Sequence, residues 1–78
     1  MKLWLVSQDE NNGYDTFDAF VCAAETEDAA RVTLPRWSDF SAPPNAWASS
    51  PEKVYVVLLG DAVPGTAAGL ILESFNAG

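Results

Sequence analysis

An α+β fold follows from three features of the sequence: four apolar runs of strand length, one short helical signature after the second run, and a proline-rich stretch before the third. Their order is β-β-α, a long loop, then β-β. That order implies a small antiparallel four-stranded sheet with one short helix packed on it. At 78 residues the chain is expected to form one domain, residues 1–78, burying roughly 60 to 65% of its unfolded surface. Hydrophobic residues make up 49% of it, with three tryptophans, two tyrosines and four phenylalanines, a composition that excludes an intrinsically disordered chain.

Lys2 to Gln8, KLWLVSQ, is apolar and partly alternating, and reads as the first strand. Asp9-Glu10-Asn11-Asn12-Gly13 then marks a hairpin-like loop, with Asn12-Gly13 best suited to the positive φ of a tight reversal. In the second strand, Phe17 to Ala24, alternation puts Phe17, Ala19, Val21 and Ala23 on one face. Asp18, Phe20, Cys22 and Ala24 fall on the other. Thr26 is a good N-cap, Glu27 and Asp28 suit the positive end of a helix dipole, and Pro35 ends a helix of about two turns.

Residues 35–51 hold four of the five prolines, interleaved with serines, alanines and aromatics, and form a long loop. Trp37, Phe40 and Trp47 have two readings there: they fold back over an open sheet face, or they form an aromatic contact patch for a partner. Lys53 to Leu59, KVYVVLL, is the clearest strand; Gly60-Asp61 ends it, and Pro64-Gly65 makes a turn. Gly69 to Phe75 is the last strand, ahead of the tail Asn76-Ala77-Gly78.

The residue inventory argues against an enzyme. There is no histidine to activate a nucleophile, and Cys22, between Val21 and Ala23, reads as a buried structural thiol. No glycine-rich phosphate loop occurs. An EF-hand register with Gly13 at its sixth position starts on Gln8 and ends on Ala19, which removes the bidentate glutamate that calcium needs. No metal or cofactor is expected. The single cysteine suits a reducing compartment, and the apolar run in MKLWLVSQDE is too short for a signal peptide or membrane span. A cytosolic, monomeric protein is expected.

Eleven acids against four bases give a net charge of −7. A surface that anionic repels nucleic acid and acidic membranes and attracts basic surfaces. The charge is also uneven: Asp9, Glu10, Asp15, Asp18, Glu25, Glu27 and Asp28 all precede Ala29, against Lys2 alone. These seven are the candidate partner-binding residues. A strand advances about 3.4 Å per residue, so its carboxylates can be presented at spacings comparable to the charges of duplex DNA, one about every 3.4 Å along each strand. Helix capping explains Glu25, Glu27 and Asp28 equally well, and solubility alone explains a charged surface.

The stretches NNGYDTFD, AETEDAAR and SFNAG resemble a family of very short, acidic phage and mobile-element proteins, the type I-C anti-CRISPRs. The resemblance spans nearly the whole chain; one departure is Leu34-Pro35, where the family pattern has His-Pro. It implies an inhibitor that acts in the bacterial cytoplasm, binds the crRNA-guided surveillance complex, Cascade, and mimics double-stranded DNA so that the PAM cannot be read. The alternative is an accessory interaction protein that docks a partner through the Trp37/Trp47 loop.

Overall fold

The computed structural model describes residues 1–77; Gly78, the end of the expected tail, lies outside them. The strands are β1 (Lys2–Gln8), β2 (Thr16–Ala24), β3 (Val54–Asp61) and β4 (Gly69–Asn76), with the helix α1 (Glu27–Arg31) after β2 and a 3₁₀ turn, Pro51–Lys53, before β3. They form one antiparallel sheet in the order β3-β1-β2-β4. The β1–β2 hairpin is therefore central, and β3 and β4 are its outer neighbours.

Because β3 and β4 occupy opposite edges, residues 62–68 must cross one end of the sheet. A hydrogen bond from Ala62 N to Met1 O (3.0 Å) holds the start of this crossing beside β1. Within it, Thr66 N donates to Val63 O and Gly65 has φ +90° after Pro64, a type II turn that needs glycine at that position.

The register sorts the strand residues into two faces. On one, Leu58, Trp4, Cys22 and Leu70 line up across the four strands, followed by Val56, Val6, Phe20 and Glu73. This face is covered by α1 and the irregular segment 32–50, and the core sits between them: Trp4, Val6, Phe17, Phe20, Cys22, Ala30, Trp47 and Val54 are buried together. The opposite face carries Val57, Leu5, Val21 and Leu72 in its central row, and none of the four is fully buried.

Several sequence expectations change in detail. Simple alternation separates Phe17 from Phe20, yet both are buried in one core. A bulge between Phe17 and Ala19, pairing with Phe75 and Ser74, inserts Asp18 as the extra residue and turns Phe17 inward. Phe17 then packs on Phe75 with ring centroids 4.8 Å apart. The β1–β2 loop is not a tight Asn12-Gly13 reversal either. It runs over seven residues between Gln8 and Thr16, and the positive φ falls on Asp15 (+60°).

The helix spans five residues rather than two turns. Thr26 caps its start as expected, accepting from Ala29 N. It ends before Pro35 because the β-branched pair Val32-Thr33 disfavours continuation, and the Thr33 hydroxyl donates to the Ala29 carbonyl that another turn would use. At its other end, β3 continues through Gly60 to Asp61, where pairing with Leu3 and Lys2 is still available.

So short a helix covers little, and most of the second layer is loop. Trp47 supplies its centre, fully buried against Phe20 with ring centroids 5.2 Å apart; Leu34, Phe40 and Ala46 pack around it. The covering reading therefore holds for Trp47 and Phe40. Trp37 instead points to solvent, 80% exposed, with the Arg36 guanidinium 5.3 Å above its ring.

Truncating Trp47 to alanine is expected to cost about 3–5 kcal/mol, comparable to the whole stability of a small domain, and to abolish a cooperative urea transition at ambient temperature. Trp47→Phe keeps a ring against Phe20 and removes an indole N–H that has no partner, so it is expected to cost much less. Trp37→Ala, losing one exposed cation–π contact, should change stability by less than about 1 kcal/mol.

Candidate functional site

The acidic loop between β1 and β2 is built around the buried side chain of Gln8. Its amide donates to Asn11 O (2.7 Å) and Phe17 O (2.9 Å) and accepts from Asn11 N (2.7 Å), which closes the loop on itself. Asn12 donates to Asp9 O, and Thr16 to Gly13 O. The loop also grips the covering segment. Asn11 donates to the Asn45 and Trp47 carbonyls, and the Phe17 N–H to Ala46 O.

Glu10 belongs to this grip. Its carboxylate accepts from the Ser49 N–H (2.8 Å) and the Ser49 hydroxyl (2.8 and 3.0 Å). These bonds, the backbone one foremost, together with the Lys53 charge, hold its carboxyl below the usual range against a small opposing effect of burial. Glu10 is thus engaged inside the protein. Asp9 is exposed and has only the Tyr55 hydroxyl within reach, at 3.4 Å. Asp15 and Asp18 are exposed, with no carboxylate bond to a base.

Glu25, Glu27 and Asp28 follow the other end of β2. Asp15 and Glu25 flank that nine-residue strand, so they stand roughly 30 Å apart along it at about 3.3 Å per residue. The hairpin acids and the helix-start acids are two groups at opposite ends of a strand rather than one patch. Glu27 is neutralised by Arg31 at 3.0 Å in an i,i+4 pair, and Arg31 continues to Val54 O at 2.9 Å. Glu25 and Asp28 remain exposed and unpaired.

The bases are largely spoken for. Lys2 pairs with Asp61 (3.6 Å), Arg31 with Glu27 and Arg36 with Glu73 (2.6 Å), which leaves Lys53 alone among the described residues without a carboxylate partner. The Arg36–Glu73 pair fastens the covering segment to β4, because Glu73 also accepts from Arg36 N. Burial pushes the Glu73 carboxyl up, but the Arg36 bonds and charge outweigh it and hold it below the usual range. Burial raises the Cys22 thiol, only partly opposed by a Thr33 hydrogen bond, so it is a poor nucleophile.

Among the described residues no three acidic or cysteine side chains gather as a metal site, and no helix is long and apolar enough to cross a membrane. The sequence reading missed the apolar sheet face centred on Val57, Leu5, Val21 and Leu72. A signal was present: KLWLVSQ and KVYVVLL are apolar in both alternating registers, yet one short helix and one loop can cover only a single face. A concavity of about 310 Å³ opens on it, lined by Leu5, Ala19, Val21, Leu72 and Ser74 among others. Comparison with family models, curated proteins and solved structures returned no match to the chain.

A lowered carboxylate contributes stability that is present above its unfolded value and lost as pH falls through its folded value. The stability difference between wild type and Glu73→Gln is therefore expected to be full at pH 7 and to vanish as the pH drops well below the ordinary glutamate value of 4.5. Urea denaturation of both proteins across that range measures it.

Proposed function

We propose that this chain is a non-catalytic inhibitor that occupies a basic, nucleic-acid-binding surface, with type I-C Cascade the target its family resemblance indicates. One observation carries the reading: Asp9, Asp15, Asp18, Glu25 and Asp28 are exposed and unpaired in the first 28 residues, while three of the four bases are held in internal ion pairs. Such a surface presents carboxylates to a basic groove and almost nothing that repels it.

Inhibition proceeds by competition. Opposite charge steers the encounter, the inhibitor fills the groove that reads the PAM, and the target duplex is excluded. Asp9, Asp15 and Asp18 form the first contact group, at or near the hairpin end of β2; Glu25 and Asp28 form the second. Glu10 and Glu27 act in support, since Ser49 and Arg31 already hold them.

The second reading, docking through the aromatic loop, narrows to Trp37. Trp47 is wholly buried and meets no partner, whereas Trp37 is exposed at a left-handed backbone position (φ +58°).

The test mixes the protein with type I-C Cascade and then adds labelled PAM-containing duplex at low and moderate salt. Exclusion of the duplex that weakens as salt rises is the expected result. Asp9→Asn, Asp15→Asn and Asp18→Asn combined should raise the inhibitory concentration about tenfold or more, a loss of at least about 1.4 kcal/mol. Asparagine tolerates the positive φ at Asp15, so the fold is expected to survive. Inhibition unchanged in that variant but lost in Trp37→Ala would transfer the site to the aromatic loop.

A further inference from the structure

The two edges of the sheet differ in how they are closed to further pairing. On β4 a carboxylate, Glu73, stands mid-strand, and Arg36 of the covering segment is fastened to it at 2.6 Å. Charge of this kind discourages another strand from joining an edge. β3 has no such guard. Between Lys53 and Asp61 its sequence, VYVVLLG, holds no charge and no proline, and among the described residues it pairs only with β1. Its one irregularity is the bulge at Leu59, which lies toward one end and leaves Val54 to Leu58 in regular register.

Along this edge the outward backbone groups are those of Val56 and Leu58. Val54 N donates to Pro51 O, and Val54 O accepts from the Arg31 guanidinium at 2.9 Å, so both turn away from Gln8, the register partner of Val54 on β1. Antiparallel pairing alternates, so Tyr55 and Val57 bond to β1 while the N–H and C=O of Val56 and Leu58 point away from the sheet. Arg31 thus closes the Val54 end and leaves the middle of the strand open. Unpaired backbone groups in an apolar edge strand select an extended, uncharged strand as their partner.

We propose that β3 is a dimer interface, pairing edge to edge with β3 of a second copy in antiparallel register about a two-fold axis at Val57. The charges at the strand ends select this occupant and this register. Lys53 is the one base without a carboxylate partner among the described residues, and the Asp61 side chain is 85% exposed, with Lys2 no nearer than 3.6 Å. With the axis at Val57, Lys53 of each copy faces Asp61 of the other, and Val56 exchanges backbone hydrogen bonds with Leu58 of its mate. Val54, where Arg31 occupies the edge, faces Gly60 of the mate, which has no side chain and open space around it. An axis at Val56 would set Leu58 against Val54, whose groups are already bonded. An axis at Leu58 would set Asp61 against Tyr55 and leave Lys53 unpaired. The Val57 register joins the two copies in one continuous sheet and closes with two-fold symmetry.

Sedimentation equilibrium of the wild type, Lys53→Glu, Asp61→Lys and the double variant tests the proposal, with far-UV circular dichroism to check each fold. The wild type is expected to dimerise. Each single exchange sets like charges face to face and should raise the dissociation constant about tenfold, and the double exchange should restore it. Val57→Cys supplies a second readout. The two Val57 residues form a non-hydrogen-bonded pair, whose Cα separation of about 4.5 Å lies within disulfide range. Air oxidation should therefore give a covalent dimer on a non-reducing gel, while Leu72→Cys on β4 should not.

A wild type that stays monomeric at about 100 μM, where an interface of micromolar affinity is largely filled, would overturn the proposal and leave the edge to an extended segment of a different protein. So would a double exchange no tighter than the single ones, or cross-linking through Leu72→Cys and not through Val57→Cys. All these variants leave Asp9, Asp15 and Asp18 intact, so exclusion of duplex from Cascade is measured separately and the two readings can fail independently.

Discussion

The packing of Trp47 against Phe20 is the contact on which the rest of this structure depends. A four-stranded sheet needs a second layer on at least one face, and a five-residue helix with Ala30 as its buried member cannot supply one. Trp47 brings the irregular segment down onto the sheet, and every polar fastening of that segment then falls within reach. Asn11 meets the Asn45 and Trp47 carbonyls, Glu10 meets Ser49, and Arg36 meets Glu73. These bonds satisfy loop backbone groups that would otherwise lie against an apolar surface unpaired. The indole N–H of Trp47 is the exception, buried without a partner, and the large apolar contact of its ring offsets that penalty.

The same fastenings divide the acidic residues by role. Glu10 is held by Ser49, and Glu27, Asp61 and Glu73 each by a base, so they serve the fold; Asp15, Asp18, Glu25 and Asp28 have no such partner, and Asp9 has only the Tyr55 hydroxyl at 3.4 Å. Pairing most bases internally leaves an outer surface more uniformly negative than the net charge conveys. High negative potential spread over two ends of a strand favours long-range attraction to a basic partner over any single close contact. That is a property suited to occupying an extended groove.

Two surfaces of opposite character therefore coexist on one small sheet. The apolar face exists because a chain of 78 residues has enough apolar strand for two faces and enough covering segment for one. The acids stay off its central rows because the alternation of each strand assigns those positions to Leu, Val, Ala, Ser and Tyr. Charge and apolar surface are thereby concentrated on different parts of one sheet, meeting where the Tyr55 hydroxyl reaches Asp9.

Strand order along the chain, the Thr26 cap, the Pro64-Gly65 turn and the excess of acids before Ala29 were legible because each rests on local rules: propensity, capping geometry, turn stereochemistry and counting. The bulge at Asp18 was not, because alternation carries no record of an inserted residue, and only pairing with Phe75 and Ser74 reveals it. Nor could local reading divide Trp47 from Trp37, or Glu10 from Asp9, since what separates them is a partner distant in sequence, such as Phe20 for Trp47 and Ser49 for Glu10. The sequence by itself determined the elements, their order and the sign of the surface. Tertiary structure alone decided which aromatic is core, which carboxylate is free and which sheet face is left open, because each depends on contacts that exist only once distant segments have packed.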